Sequence, residues 1–564
     1  MPVRRIIAPG AVVLLALGLA HQPVVFAQAV PTPGAIQDQL RKPVAPPPMA
    51  KPVTPTAPAS PGASVPPGGR KILVKGFEIS GNSALGSDEL QQLVASSAGK
   101  ELTLEEIYQV ADSITHYYRT KGYTLAAAIV PQQKVSTGQI RLEVIEGKLG
   151  QIRAEGNRHY RESFLRWQLN QLKSGDVVRN APLEREMLLL NDLPGLSAKA
   201  VMQPGADFGT SDLVLQTEEK WANASLGLNN YGRESIGEYR LQADAALNGL
   251  LGIGDRFDFT GLYAEGNLMH YGRMAYSMPI SPSGTRATMY YSRYGYHVDT
   301  KKIGAGVAEL DINGEGENFG FNLLHPVWRS ERKSLYLGAG YDRTVTVQEE
   351  ETLDNTTKSH LGIAQFTALF NYLSPDNSFS TVGATLSTNF QGTPLVTEIG
   401  GGLVPENNTE AAKLQVDLSH YRAVWRELGL LARFTGAISA DPLSDLDQFR
   451  LGGPTSVRAY PASEVGGDDG FFASAELQHP FPWLPVLNDE RLKAFVDTGT
   501  VYRQHSGLRG LKASESLSGA GIGLSATAFN HLLVDVLMAH PFGQQEASDR
   551  DDGLRFWVSV NAQF

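Results

Sequence analysis

The 564-residue chain contains no cysteine, which excludes a disulfide framework, thiolate metal sites and a thiol nucleophile. Nor does it contain, beyond its first thirty residues or within them, a run of about 18 apolar residues, the length a helix needs to cross a bilayer. Excess positive charge is lacking too: 49 Lys+Arg stand against 59 Asp+Glu, which argues against nucleic acid as a partner. Catalytic signatures are missing as well. There is no Gly-x-Ser-x-Gly elbow, no His-Glu-x-x-His and no P-loop, and the 12 histidines are scattered without ligand spacing. No enzymatic activity, cofactor or metal is therefore expected. The carboxylates Asp441, Asp445 and Asp447 lack the glycine and closing glutamate of a calcium loop. They read as solvated loop residues, as do Glu349 to Glu351, Asp468 and Asp469.

What is present divides the chain into five stretches. Residues 1–29 read as an export signal: Arg4 and Arg5 precede an apolar stretch from Ile6 to Ala20, and Ala27 and Ala29 each offer a cleavage site. Residues 30–70 read as a linker, because 12 of the 32 prolines fall between Pro31 and Pro67 and proline fixes φ and removes donors. Within it, residues 35–42 have the composition for about two helical turns, a candidate pore plug. An extended spacer is the favoured reading.

Residues 71–147 and 148–219 read as tandem α+β units of about 75 residues each. In the first, Ile72 to Ile79 forms a strand and Gly81-Asn82 a turn. Helices open at Ser87 and at Thr103, the second with Ile107, Val110, Ala111, Ile114 and Tyr118 at helical spacing. Two strands close the unit, over 126–130 and 138–146. The second unit restarts the pattern: Leu149 to Asn157 echoes Val74 to Asn82, with helices expected near 163–172 and 182–191 and strands near 199–204 and 211–218.

Over residues 220–564 the pattern becomes strict alternation. Ala222, Ala224, Leu226 and Leu228 alternate with Asn223, Ser225, Gly227 and Asn229; Phe257 and Phe259 alternate with Arg256, Asp258 and Thr260. No helical period intervenes. About 21 residues per strand and loop gives roughly 16 strands, an even number as a transmembrane antiparallel β-barrel requires. The fold class expected is mainly β: a C-terminal barrel preceded by two α+β domains. In the last ten residues Phe556, Val558, Val560 and the terminal Phe564 lie on one face of an alternating strand.

Several of these stretches resemble a known family. Gly76-Phe77-Glu78-Ile79-Ser80-Gly81-Asn82, the helix end Tyr118 to Tyr123 and Val144-Ile145-Glu146-Gly147 resemble a POTRA domain of the two-partner secretion type. Gly453, Val457-Arg458-Ala459-Tyr460, Glu476 and Phe495-Val496-Asp497-Thr498-Gly499 resemble the two diagnostic motifs of the POTRA-barrel superfamily. The last strand, ending on Phe564, resembles the signal read by barrel-assembly machinery. Taken together, the chain resembles the TpsB transporters of the ShlB/FhaC/HecB haemolysin secretion/activation family.

That resemblance implies a barrel in bacterial outer-membrane lipid, with POTRA domains in the periplasm that receive a large unfolded exoprotein, a TpsA-type adhesin, haemolysin or contact-dependent toxin. It also implies that the sixth extracellular loop, around 448–470, folds into the pore and is locked there by Arg458 and Asp497. A loop crossing a pore has no core to bury, so a bidentate guanidinium–carboxylate pair would set its position. Where the family pattern has glycine, this chain has Ala459, which puts in doubt a turn needing φ > 0 there. The alternative function is an insertion factor for other barrels; a passive porin would carry no POTRA repeats.

Overall fold

The computed structural model describes residues 31–40, 69–303, 310–389, 395–399, 402–406, 411–482, 487–504, 512–543, 547–549 and 553–564. The expected export signal and most of the proline-rich linker lie outside these residues. Helix α1 (Pro33–Leu40) comes first, followed by two small α+β units and a closed antiparallel barrel.

The first unit departs from the expected single strand over 72–79. Ile72–Val74 pairs antiparallel with Lys100–Leu102, whereas Gly76–Ser80 pairs parallel with Gln139–Ile145. The cause is a slip in the inward face: Val74 and Phe77 are both buried, an odd spacing that one strand of period two cannot satisfy. Helix α2 (Ser87–Val94) and helix α3 (Leu104–Thr120) cover the sheet. Helix α3 starts on a reciprocal cap, in which Thr103 Oγ1 accepts from the Glu106 amide while Glu106 accepts from the Thr103 amide. Its buried face is Ile107, Val110, Ala111, Ile114 and Tyr118.

The second unit repeats this plan with helix α4 (Glu162–Gln168) and helix α5 (Asn180–Asn191). In each unit the central strand pairs parallel with the first strand and antiparallel with the second. The likeness reaches single bonds. Gly81 and Gly156 both take positive φ, and Asn82 and Asn157 each donate to a carbonyl three residues on, those of Leu85 and Tyr160, at 3.0 Å. The closing glutamates then satisfy the exposed turn amides. Glu146 accepts from the Ser83 and Ala84 amides at 2.7 Å and from Tyr118 at 2.8 Å; Glu219 accepts from the amides of Arg158, His159 and Tyr160. Burial raises the Glu146 pKa, but the donors from Ser83, Ala84 and Tyr118 outweigh it and hold the carboxyl below the usual glutamate value.

Helix α5 docks the second unit on the barrel. Asp192 takes both arms of Arg329 at 2.8 Å, and Arg185 donates to the Pro326 carbonyl at 3.1 Å.

The ring contains eighteen strands, of which Leu395–Ile399 and Gly402–Glu406 form a hairpin that prolongs the fifth long loop. Phe379–Asn389 bonds directly to Ala412–Trp425 beneath that hairpin, so sixteen strands build the wall. The short turns face the α+β units and the long loops face away. The outer surface is apolar: Leu226, Leu241, Phe259, Met289 and Phe366 all point out. Aromatic residues mark both rims, with Trp221, Trp328, Trp425, Phe529 and Phe564 near the α+β units and Tyr239, Tyr263, Tyr502 and Phe542 at the far end. Such girdles sit at the two membrane–water interfaces of outer-membrane barrels. The terminal strand Arg555–Gln563 closes the ring against Ala222–Asn229, with Phe556, Val558 and Phe564 exposed outward and Val560 half-buried.

Candidate functional site

Two elements fill the lumen. The first is helix α1, so the favoured spacer reading fails for residues 33–40. Eight residues are too few to hold a helix in water, and packing supplies the stability. Ile36 is fully buried in one cluster with Met269, Tyr271, Tyr294, Tyr296 and Ile312, a burial that contributes roughly 2–3 kcal/mol. The tyrosines fit because the facing strand Ile312–Arg329 carries glycine opposite them. A Cβ on Gly314 or Gly316 would lie 2.2 or 2.3 Å from the rings of Tyr296 and Tyr294. Polar bonds fix the helix in place. Gln37 donates to Thr344 at 3.1 Å, Gln39 accepts from Arg240 at 2.7 Å, and Asp38 accepts from Ser463 at 2.8 Å. Asp445 receives the Gly34 amide at 2.7 Å and the Thr32 hydroxyl at 2.9 Å.

The second element is the sixth long loop, between the strands Leu428–Ser439 and Asp469–Pro480. Its turn rests on Gly452 and Gly453, with φ of 105° and 103°, and the Gly453 amide bonds to the Tyr460 carbonyl at 3.0 Å. Arg458 sits at the tip, 3% exposed, and Asp497 on the wall is 1% exposed. The guanidinium grips the carboxylate with two arms: Nε to Oδ2 and Nη2 to Oδ1, both 2.8 Å. The Arg458 amide adds a third bond at 3.2 Å. Nη1 donates to Glu476, and Ser474 bridges, accepting from Nη2 at 3.2 Å and donating to Asp497 at 2.7 Å. Strand register explains the convergence. Ser474 pairs with Asp497 and Glu476 with Phe495, so period two puts all four on the lumen face. The Phe495 ring lies 3.4 Å beneath the guanidinium carbon, a cation–π contact that favours the charge without competing for its donors.

Other motif residues shape the seat. A Cβ on Gly499 would lie 2.8 Å from Leu451 of the loop. Val457 and Tyr460 are fully buried, packed with Leu451, Phe472, Val501, Leu517 and Trp557. The expectation that the loop has no core to bury is therefore wrong: it carries an apolar core of its own, pressed against the wall. Ala459 also takes no positive φ. Its methyl occupies the space left by Gly519, where a Cβ would come within 2.3 Å, so the position demands room rather than a left-handed backbone. Of the loop acids expected to be solvated, Asp441, Glu349 and Glu351 are exposed, but Asp445, Asp447 and Asp468 are tied into the loop instead. Asp445 pairs with Arg450 and Asp447 with Lys413, and Asp468 accepts the Leu443 and Gln504 amides at 2.7 and 2.8 Å.

Ser474, Gly519 and Gly521, where a Cβ would lie 2.5 Å from the Phe495 ring, escaped the sequence analysis because nothing local marks them. Trp557, on the opposite face of the terminal strand from Phe556 and Val558, is 1% exposed and donates from Nε1 to the Arg458 carbonyl at 2.7 Å. The terminal residues Phe556, Val558, Val560 and Phe564 stand apart from this cluster, on the other face of the same strand.

Known proteins share this architecture. Residues 209–526 match the family described as haemolysin secretion/activation protein ShlB/FhaC/HecB, and residues 72–147 match the ShlB-type POTRA domain. The heme/hemopexin transporter protein HuxB of Haemophilus influenzae (strain 86-028NP) is 25% identical over 510 residues, 86% of this chain and 85% of the relative. The outer membrane transporter CdiB of Escherichia coli O6:K15:H31 is 26% identical over 493 residues, 84% of this chain and 79% of the relative. The hemolysin transporter protein ShlB of Serratia marcescens is 24% identical over 494 residues, 86% of this chain and 83% of the relative. Among solved structures, CdiB from Escherichia coli superposes with a TM-score of 0.69 at 22% identity, covering 91% of this chain and 94% of that one. BamA from Haemophilus ducreyi lacking POTRA domains 1–3 shares the fold at a TM-score of 0.53 and 16% identity, covering 87% of this chain and 100% of that one. With a family match over more than half its length and a sixteen-stranded barrel behind POTRA domains, the chain belongs to the ShlB/FhaC/HecB family of two-partner secretion transporters of the bacterial outer membrane.

Proposed function

We propose that this transporter receives one large unfolded exoprotein on its POTRA domains and threads it through the barrel to the cell surface. The observation that carries the reading is a lumen whose two fillers, helix α1 and the sixth loop, are positioned by directional bonds to the wall and to each other beside their apolar contacts. Such bonds fix a position yet exchange readily for water or another polar partner, whereas a filler held by a continuous apolar core alone would resist removal. On the periplasmic side, the strand Gly76–Ser80 is a sheet edge beside helix α2. An extended segment can add to such an edge with its side chains in the neighbouring groove.

In this reading Arg458 and Asp497 are the lock, and Glu476, Phe495, Gly453, Val457, Tyr460 and Gly499 build its seat. The domain limits follow as 71–147 and 148–219 for the POTRA repeats and 220–564 for the barrel. Phe556, Val558, Val560 and Phe564 face the lipid, where barrel-assembly machinery can read them during insertion. The relatives named for haem/hemopexin and haemolysin transport share this barrel at similar identity, so cargo type is set outside the shared motifs.

The test is a cell carrying the chain together with a large candidate exoprotein of the TpsA type. Deleting the transporter should abolish surface exoprotein and leave unrelated outer-membrane barrels at normal abundance. A general fall in those barrels, with the exoprotein still exported, would establish the insertion-factor reading instead.

A further inference from the structure

Every ring of strands has one seam where the chain's two ends meet. Here that seam is short. The first strand Ala222–Asn229 and the last strand Arg555–Gln563 pair in regular register from Ser225–Gln563 to Asn229–Ser559, five pairs, and reciprocal backbone bonds between Ala224 and Phe564 add one more position at the lower end. On their other sides the same two strands each pair over eight residues. Above Asn229 a side chain continues the ladder. The Asn230 amide bonds to the Val558 carbonyl at 3.2 Å, its Nδ2 donates to the Phe556 carbonyl at 2.8 Å, and its Oδ1 accepts from the Val558 amide at 2.7 Å.

The sixth loop then grips both sides of this junction. From the last strand, Trp557 donates to the Arg458 carbonyl at 2.7 Å and meets Tyr231, just past the first strand, edge to face at 5.8 Å. Farther along the loop, Glu464 is the shared acceptor of two segments that flank the seam. Arg233, four residues beyond the first strand, pairs with Glu464 Oε2. Ser548, ahead of the last strand, gives its amide to Oε1 at 2.9 Å and its hydroxyl to Oε2 at 2.7 Å. The Arg233 and Glu464 side chains are 8% and 3% exposed, so removing either partner leaves a buried charge uncompensated.

We propose that the sixth loop, besides filling the pore, is the brace of the barrel's seam, with Glu464 and Trp557 as the positioning residues through which it holds the first and last strands together. When the loop leaves the lumen the seam loses both ties at once, so that pore opening and seam loosening are one event. This holds whatever the cargo, and whether the barrel threads or inserts its client.

Amide hydrogen exchange on the full chain in detergent micelles tests it. In Glu464→Gln and in Trp557→Phe, amides of 222–229 and 555–563 should exchange about tenfold faster than in the parent, the effect of losing one charge-assisted or buried bond. The opposite wall, 363–373 and 379–389, should not change. The swap of Glu464→Arg with Arg233→Glu should restore much of the protection, because it restores the ion pair. Trp557→Phe keeps an aromatic ring against Tyr231 while losing the N–H and part of the indole's bulk, so it carries the test should the charge variants fail to fold. Because the chain has no cysteine, Leu228→Cys with Val560→Cys, opposite each other in the register, adds a control: the oxidised seam should return the Glu464→Gln variant to parental exchange. Unchanged seam exchange in the folded variants, or acceleration spread equally around the wall, would overturn the proposal.

Discussion

Arg458 faces two carboxylates and not one, which alters what its substitutions should do. Arg458→Ala leaves Asp497 and Glu476 buried together without the guanidinium that bonds to both, and removing one partner of a buried pair costs about 3–5 kcal/mol. Asp497→Ala leaves Arg458 still bonded to Glu476, so its defect should be the milder. With secretion normalised to barrel abundance, Arg458→Ala should fall at least about tenfold, and the double variant should be no worse than Arg458→Ala alone. Arg458→Lys keeps the charge but not the fork and should recover only part of the loss. Defects that simply multiply in the double variant would show that the two residues act separately. A second residue-level expectation concerns Glu146, whose folded pKa is depressed. Its contribution is complete above the unfolded glutamate value of about 4.3 and is lost as pH falls through the lower folded value. Protection of the 81–84 turn amides in hydrogen exchange should therefore weaken as pH drops below about 4, and Glu146→Gln should abolish that pH dependence. Arg458, Asp497 and Glu476 were legible in the sequence because they sit in motifs. Ser474, Gly519 and Trp557 were not, since each gains its role from a neighbour on another strand.

Among elements, the tandem α+β units and the wall strands follow from periodicity, the one local signal that survives into the tertiary fold. Helix α1 did not, for Pro31 and Pro43 flank it in a proline-rich stretch that argues for an extended linker. The helix exists because the Tyr294 and Tyr296 wall receives Ile36, a surface assembled from residues about 260 positions away. Asp445 is its principal tie to the sixth loop, accepting from Thr32 and Gly34 while paired with Arg450. Asp445→Ala should thus free the helix from the lumen more often. In planar bilayers, open events should become at least about tenfold more frequent, given the worth of two hydrogen bonds to a charged acceptor. Lumen-blocking that persists unchanged would mean that Ile36 packing alone retains the helix.

For the whole molecule, the barrel joins two tasks: insertion into lipid and passage of cargo. The terminal Phe564 is tied to the first strand through reciprocal backbone bonds with Ala224 and presents its ring outward. Deleting Phe564 should lower heat-modifiable barrel in the outer membrane while export across the inner membrane stays normal; an unchanged barrel level would separate this residue from assembly. Passage is the central claim, and adjacent residues on one strand can test it. Tyr290 faces the lumen beside Asp342 and helix α1, while Met289 faces the lipid. With a photo-crosslinking residue at each position in turn, and the exoprotein stalled by a fused domain that folds before it can pass, Tyr290 should capture the exoprotein and Met289 should not. Capture at Met289 with none at Tyr290 would mean that the client travels along the outside of the wall, and would contradict threading through the pore.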